Sequence, residues 1–286
     1  MPASTHSPRT PPRSWRRAAA TLLATLALGA APAMTSAAPT VQPGKLTIGS
    51  DLTYPPYAYM QDGKPAGFDA EFSRMLARQM ALEPVFLDTR FPDLILGMRA
   101  HRFDIVASAL YVTPERHKLI NYVPYLTTGS SLLVLASDSY APGDVDALCG
   151  KRVGTIKGAS WTPKLAKVSA EQCVPGKRGP IQVREYPTSP EALMALKSKA
   201  VDVMMEDAAV SHELVEQSAN AIKITSSKLI YPIVIGLGVN KDATELLDAL
   251  NAALQAATAS GAYPALLKKY GLQAPDAADV QAALGR

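Results

Sequence analysis

Asp104-Ile105-Val106-Ala107-Ser108-Ala109-Leu110-Tyr111-Val112-Thr113-Pro114-Glu115-Arg116 is the stretch from which the rest of the chain can be read. Residues 105–110 form a short apolar run, the pattern of a parallel strand covered on both faces. Thr113-Pro114-Glu115 then spells a helix start. Thr113 can cap, Pro114 takes the first position, where a missing N–H costs nothing, and Glu115 suits the positive end of the dipole. Arg116 is the exception, because a cation in the first turn opposes that dipole. An anion held jointly by the guanidinium and free backbone N–H groups would offset the opposition. So would a surface pairing with Glu115 or a nearby carboxylate. Position alone leaves both readings open.

Upstream, residues 1–37 read as a secretory signal peptide. Arg9, Arg13, Arg16 and Arg17 form a basic segment without acids, residues 18–33 are apolar, and Thr35-Ser36-Ala37 offers small residues for cleavage. Cleavage is placed after Ala37, since a cut after Ala38 would put Pro39 directly behind it. No Cys lies near the cut, so no lipid attachment is expected, and the Arg16-Arg17 pair leaves the Sec and twin-arginine routes both open. The leader holds four of the 29 basic residues, so the mature chain is balanced against its 25 acids. Near-neutrality argues against nucleic acid or an anionic membrane surface as partner.

The remaining chain, roughly 250 residues, is long enough for two domains. The longest later apolar run, 230–239, falls short of a membrane span and contains Pro232. Cys149 and Cys173 suit an oxidising compartment, and a disulfide between them is expected over two free thiols. His101, His117 and His212 are scattered, so no metal site is expected. Strand and helix signals alternate. Lys45–Ser50 is a strand ending at Asp51, 68–80 has helical spacing, 84–87 is a strand, and 91–100 is a helix leading back to the opening stretch. This is a βαβαβ unit with a parallel sheet, whose ligands bind at the carboxyl ends of the strands. Asp51, Tyr54 and residues 108–116 fall at that edge. A second series follows Gly129: strands at 131–135, 152–156, 181–185 and 201–206, with helices after the Gly158 turn and over 189–200 and 208–218. Two helices, 244–260 and 263–270, come after 230–239. Chain crossings near 127–133 and 229–236 would join two α/β lobes.

The order of motifs resembles the periplasmic amino-acid-binding proteins of ABC importers, solute-binding protein family 3. The matching segments are Gly49–Tyr57, Gly67-Phe68-Asp69, Phe103-Asp104-Ile105-Val106, Thr113-Pro114-Glu115-Arg116, Gly150–Gly154 with the Gly158 turn, Val201-Asp202, Glu206-Asp207 and Ser260–Tyr263. The ordered set over residues 44–272 carries the resemblance. It implies the type II periplasmic binding fold: α/β, two Rossmann-like lobes joined by a two-strand hinge. Lobe 1 would comprise 42–128 plus 236–286, and lobe 2 would comprise 129–235. The resemblance implies that Arg116 holds a ligand α-carboxylate and Asp207, on the other lobe, its α-ammonium. Asp207 could also serve as an N-cap for the helix after it. Ser108 and Ser160 match residues that donate to the carboxylate, and Tyr54 and Phe91 match aromatic walls. Asp51 matches a residue that meets a basic side chain in some members and only shapes the loop in others. Two departures stand out. Tyr111 replaces a small hydroxyl residue, and Ala109 replaces a Ser found in some members. With Tyr57 and Trp161 the pocket could be a partial aromatic cage for a cation or a small apolar space.

The preferred function is capture of an amino acid, a basic one among the candidates, for delivery to an inner-membrane ABC permease. The protein would be periplasmic and monomeric, without cofactor or chemistry of its own. The alternative is a cyclohexadienyl (prephenate or arogenate) dehydratase on the same fold, with Glu206 as general acid. A receptor's sensor domain is disfavoured, since no membrane span follows residue 272.

Overall fold

The computed structural model describes residues 39–285; the signal-peptide reading lies outside them. From β1 (Lys45–Ser50) the chain makes a small meander of β2 (Thr53–Tyr54), β3 (Ala58–Gln61) and β4 (Lys64–Ala66), then enters α1 (Phe68–Gln79). Phe68, Phe72, Met75 and Leu76 form the buried stripe that helical spacing demands. The start of α1 depends on Gly67 at φ 101, where a Cβ would lie 2.4 Å from the Tyr57 carbonyl oxygen. The close approach lets Phe68 and Asp69 donate to the carbonyls of Pro56 and Tyr57 at 2.9 and 2.8 Å. The loop carrying Tyr54 and Tyr57 is thereby tied to the helix end.

Next come β5 (Glu83–Asp88), a 3₁₀ turn at Phe91–Asp93, α2 (Leu94–Arg99), β6 (Ile105–Val106) and α3 (Pro114–His117). Strand β1 pairs in parallel with β5 and β6, as expected. The strand expected over 105–110 is shorter, since only Ile105 and Val106 keep register. Asp69 supplies the reason. Its carboxylate accepts the Ala109 N–H at 2.7 Å, and Ala109 takes φ 45, which turns the chain out of strand geometry. Thr113 caps α3 as read from sequence, accepting from the Arg116 N–H at 3.2 Å.

The strand read from residue 131 is in fact the end of β7 (Ile120–Leu135), a single run of 16 residues. After it follow β8 (Arg152–Ile156), α4 (Thr162–Val168), β9 (Gln182–Tyr186), α5 (Ser189–Lys197), β10 (Val203–Asp207) and α6 (Ala208–Gln217). The chain finishes with β11 (Ile222–Ile224), β12 (Ile230–Asn240), α7 (Thr244–Ala259), α8 (Ala262–Tyr270) and α9 (Ala277–Leu284). Sheet order is β5-β1-β6-β12-β7-β10-β8-β9, with β11 beside β7. Two parallel sets, β5-β1-β6 and β10-β8-β9, are therefore joined through the antiparallel pair β7 and β12. These are two Rossmann-like lobes with a two-strand hinge. The unanticipated α9 lays Ala283 and Leu284 against the apolar cluster containing Val112 and Val234.

Cys149 and Cys173 are disulfide-bonded across a separation of 24 residues. Closing a loop of that size removes unfolded-state entropy worth about 3–4 kcal/mol. Denaturant melting of the double serine variant is expected to show a loss of about that size; an unchanged midpoint would show that the bond contributes nothing.

Candidate functional site

Strand β10 is buried at every residue and ends in two acids, Glu206 and Asp207. Asp207 caps α6, its Oδ1 accepting from the N–H groups of Ala209 and Val210 at 2.9 and 3.3 Å. The same oxygen accepts from the Tyr57 hydroxyl at 3.0 Å. Its Oδ2 accepts from Tyr111 Oη at 2.6 Å and Thr128 Oγ1 at 2.9 Å. Glu206 accepts from Tyr54 Oη at 2.5 Å, Ser189 Oγ at 2.7 Å and the Asp207 N–H at 2.8 Å. Ser189 is placed by the capping box of α5, in which Thr188 and Glu191 bond reciprocally. A third buried acid, Asp69, accepts from Tyr125 Oη at 2.6 Å as well as from Ala109. Among the described residues no lysine or arginine forms an ion pair with any of the three.

Burial raises all three carboxyls above their ordinary values, against the hydrogen bonds that lower them; Glu206 and Asp69 are each pushed to about 7. The facing phenols of Tyr54, Tyr57 and Tyr111 are raised too, first by burial and then by the neighbouring carboxylates, so they remain donors.

Arg116 lies on the other side of Tyr111. It donates to the Tyr111 carbonyl at 3.1 Å and across to the Gly158 carbonyl at 2.9 Å. Its guanidinium carbon sits 5.5 Å from the centre of the Phe91 ring. Tyr111 therefore links the two charged residues singled out from sequence: its carbonyl receives Arg116 and its hydroxyl reaches Asp207. Trp161 packs edge-on to the Tyr111 ring at 5.8 Å. Of the other candidates, Tyr54 stacks with Tyr57 and Ser160 is half-buried in the turn before α4.

Asp51 and Ser108 are joined to each other, the Asp51 N–H donating to Ser108 Oγ at 3.1 Å. The Asp51 carboxylate is buried with partners of its own: Thr53 Oγ1 at 2.7 Å, the Phe91 N–H at 2.9 Å and Arg90 at 2.8 Å. It holds the loop in shape and has its own cation. The resemblance had no motif for Arg90, Thr128 or Ser189, whose signal is only a hydroxyl or a charge at an unremarkable position.

With this geometry in hand, comparison with known proteins gives a consistent result. The profile of the bacterial extracellular solute-binding proteins, family 3, matches residues 46–273. The L-cystine-binding protein TcyJ of Escherichia coli K12 is 27% identical over 229 residues, covering 79% of this chain and 82% of the relative. The histidine-binding periplasmic protein of Salmonella typhimurium LT2 is 27% identical over 246 residues, covering 80% and 88%. Among solved structures, an ancestral arginine-binding protein bound to arginine superposes with a TM-score of 0.73 at 27% identity, covering 79% of this chain and 98% of the other.

The raised acids generate a pH dependence. In the folded protein Glu206 and Asp69 bind a proton up to about pH 7, whereas unfolded carboxyls release theirs near pH 4. The folded state thus holds more protons across that interval, so stability falls as pH rises through it and levels off above. The melting temperature is expected to drop between about pH 5 and pH 8, with a shallower slope in Glu206→Gln and in Asp69→Asn. A slope unaltered in both variants would rule these groups out.

Proposed function

The chain belongs to the bacterial extracellular solute-binding proteins, family 3, and on that premise we propose that it captures an amino acid between its lobes and delivers it to an ABC importer. The lobes divide at 42–128 plus 236–286 and 129–235. Arg116 takes the carboxylate, Asp207 takes the ammonium, and Tyr54, Phe91 and Tyr111 wall the site, with Ser108 and Ser160 at its carboxylate end. The protein acts in the periplasm as a monomer, after removal of a leader ending at Ala37 that leaves no lipid-bearing cysteine.

The observation that carries this reading is the direction of the hydrogen bonds across the cleft. Tyr54, Tyr57, Tyr111 and Arg116 donate, while Glu206, Asp207 and the Gly158 carbonyl accept. With Thr128, which also donates to Asp207, the donors lie within 54–128 and the acceptors within 158–207. A zwitterion matches both sides, its carboxylate facing donors and its ammonium facing acceptors. A basic side chain adds a second cation, for which Glu206 is the available acid, since Asp51 is matched by Arg90. Relatives named for histidine and arginine binding agree with that choice.

A thermal-shift screen of the twenty amino acids is expected to show stabilisation by basic ones, because a ligand that binds only the folded state raises its stability. Arg116→Ala should then cost about 2–5 kcal/mol of binding with the fold retained, roughly 30-fold to several thousand-fold in affinity by calorimetry. Stabilisation by none of the twenty would end the amino-acid reading; stabilisation by leucine or glutamate alone would end the basic one.

A further inference from the structure

We propose, resting on the amino-acid reading above, that Tyr111 is an affinity-setting residue whose hydroxyl competes with a ligand ammonium for Asp207 and passes to the Gly129 carbonyl when the ammonium arrives. The starting point is acceptor capacity. A carboxylate offers about four lone-pair sites, and Asp207 already receives five donors: Ala209, Val210, Tyr57, Tyr111 and Thr128. Oδ2 receives two of them, which fill its two lone-pair sites, so an ammonium joins that oxygen by displacing a donor.

The donors differ in their freedom to do so. The N–H groups of Ala209 and Val210 are fixed in the first turn of α6. Tyr111 Oη, by contrast, lies 3.2 Å from the Gly129 carbonyl as well as 2.6 Å from Asp207 Oδ2. Thr128 Oγ1 likewise lies 3.4 Å from that carbonyl and 2.9 Å from the same carboxylate oxygen. A hydroxyl has one proton, so each serves one acceptor at a time. Rotation about the C–O bond moves the proton without moving the ring, which Trp161 holds edge-on. Both switchable donors sit on Oδ2, so that is the oxygen they can release. Gly129 is suited to the receiving part: the β7–β12 register passes from Thr128↔Ile233 to Ser130↔Ile230, and Gly129 has no registered partner on β12. The exchange trades one acceptor for another, so neither hydroxyl is left without a partner in either position.

The consequence is that Tyr111 weakens amine binding by keeping Asp207 occupied. Tyr111→Phe keeps the ring and removes the competitor, leaving Oδ2 one donor short until an ammonium supplies it. Calorimetry is to be run on wild type, Tyr111→Phe and Thr128→Val with two probe pairs. The first is L-arginine and 5-guanidinopentanoate, and the second is L-histidine and 3-(imidazol-4-yl)propanoate; each pair differs only in the α-ammonium. Tyr111→Phe is expected to bind the amino acids about tenfold more tightly and the deaminated acids as wild type does. Thr128→Val should shift the same way by less, and it stands in if Tyr111→Phe fails to fold. Equal or weaker amino-acid binding in the variants, with wild-type binding intact, overturns the exchange but leaves amino-acid capture standing. Equal tightening toward the deaminated acids also overturns it, since the gain then has nothing to do with the ammonium. If neither amino acid binds wild type, capture of a basic amino acid fails and the exchange falls with it.

Discussion

Two adjacent carboxylates buried at the end of one strand are the constraint on which the cleft depends. Taking an isolated carboxylate out of water costs several kcal/mol, and among the described residues no lysine or arginine forms an ion pair with Glu206 or Asp207 to offset it. Hydrogen bonds to a charged group return about 1.5–3 kcal/mol each, so the acids are tolerable only while their donors are in place. Those donors come from separate parts of the chain: the loop before α1, the turn after β6, hinge strand β7 and the first residue of α5. Each is itself held by a local device, the close approach at Gly67 for Tyr57 and the capping box for Ser189. The site is thus a product of the whole fold.

Much of that fold was legible in the sequence because it rests on periodicity and on helix-start chemistry. The stripe of α1, the Thr113 cap and the alternation of strand and helix all follow from spacing. What was not legible rests on contacts distant in sequence. Residues 107–110 are as apolar as a strand should be, yet Asp69, forty positions earlier, takes the Ala109 N–H and turns the chain away. Only residues 131–135 of β7 were read as strand, because the small polar residues around Gly129 interrupt its apolar pattern. In the site, Arg116 stood out as a cation at a helix start and Asp207 through the resemblance. Thr128 and Ser189 did not, because a buried hydroxyl carries no pattern of its own.

Asp51 shows how far a motif can carry. Its position identifies the loop, but its partner is Arg90, which lies outside the motif. A carboxylate matched by an internal guanidinium and two further donors is a structural post. The acids that keep a claim on a cation are those satisfied by neutral hydroxyls, since a hydroxyl can be replaced by an ammonium without stranding a charge. That distinction moves the basic-ligand argument from Asp51 to Glu206, one residue from the group assigned to the α-ammonium.

The one-way hydrogen bonding across the cleft also bears on how the lobes meet. In the bonds between the sides, donors come from one side and acceptors from the other, and in the proposed binding mode a zwitterion would insert by substitution rather than by demanding new partners. Its carboxylate would take over donor valences of Arg116, which has five N–H groups and spends two of them on the carbonyls of Tyr111 and Gly158. Its ammonium would take over acceptor valences that hydroxyls held. A ligand with only a carboxylate would leave those hydroxyls on Asp207, and one with only an amine would leave the unused Arg116 N–H groups without an anion. In the proposed binding mode selection for both charges at once would follow from the polarity of the two faces, and the side chain of the ligand would be judged separately, by the rings of Tyr54, Phe91 and Trp161 and by the carboxyl of Glu206.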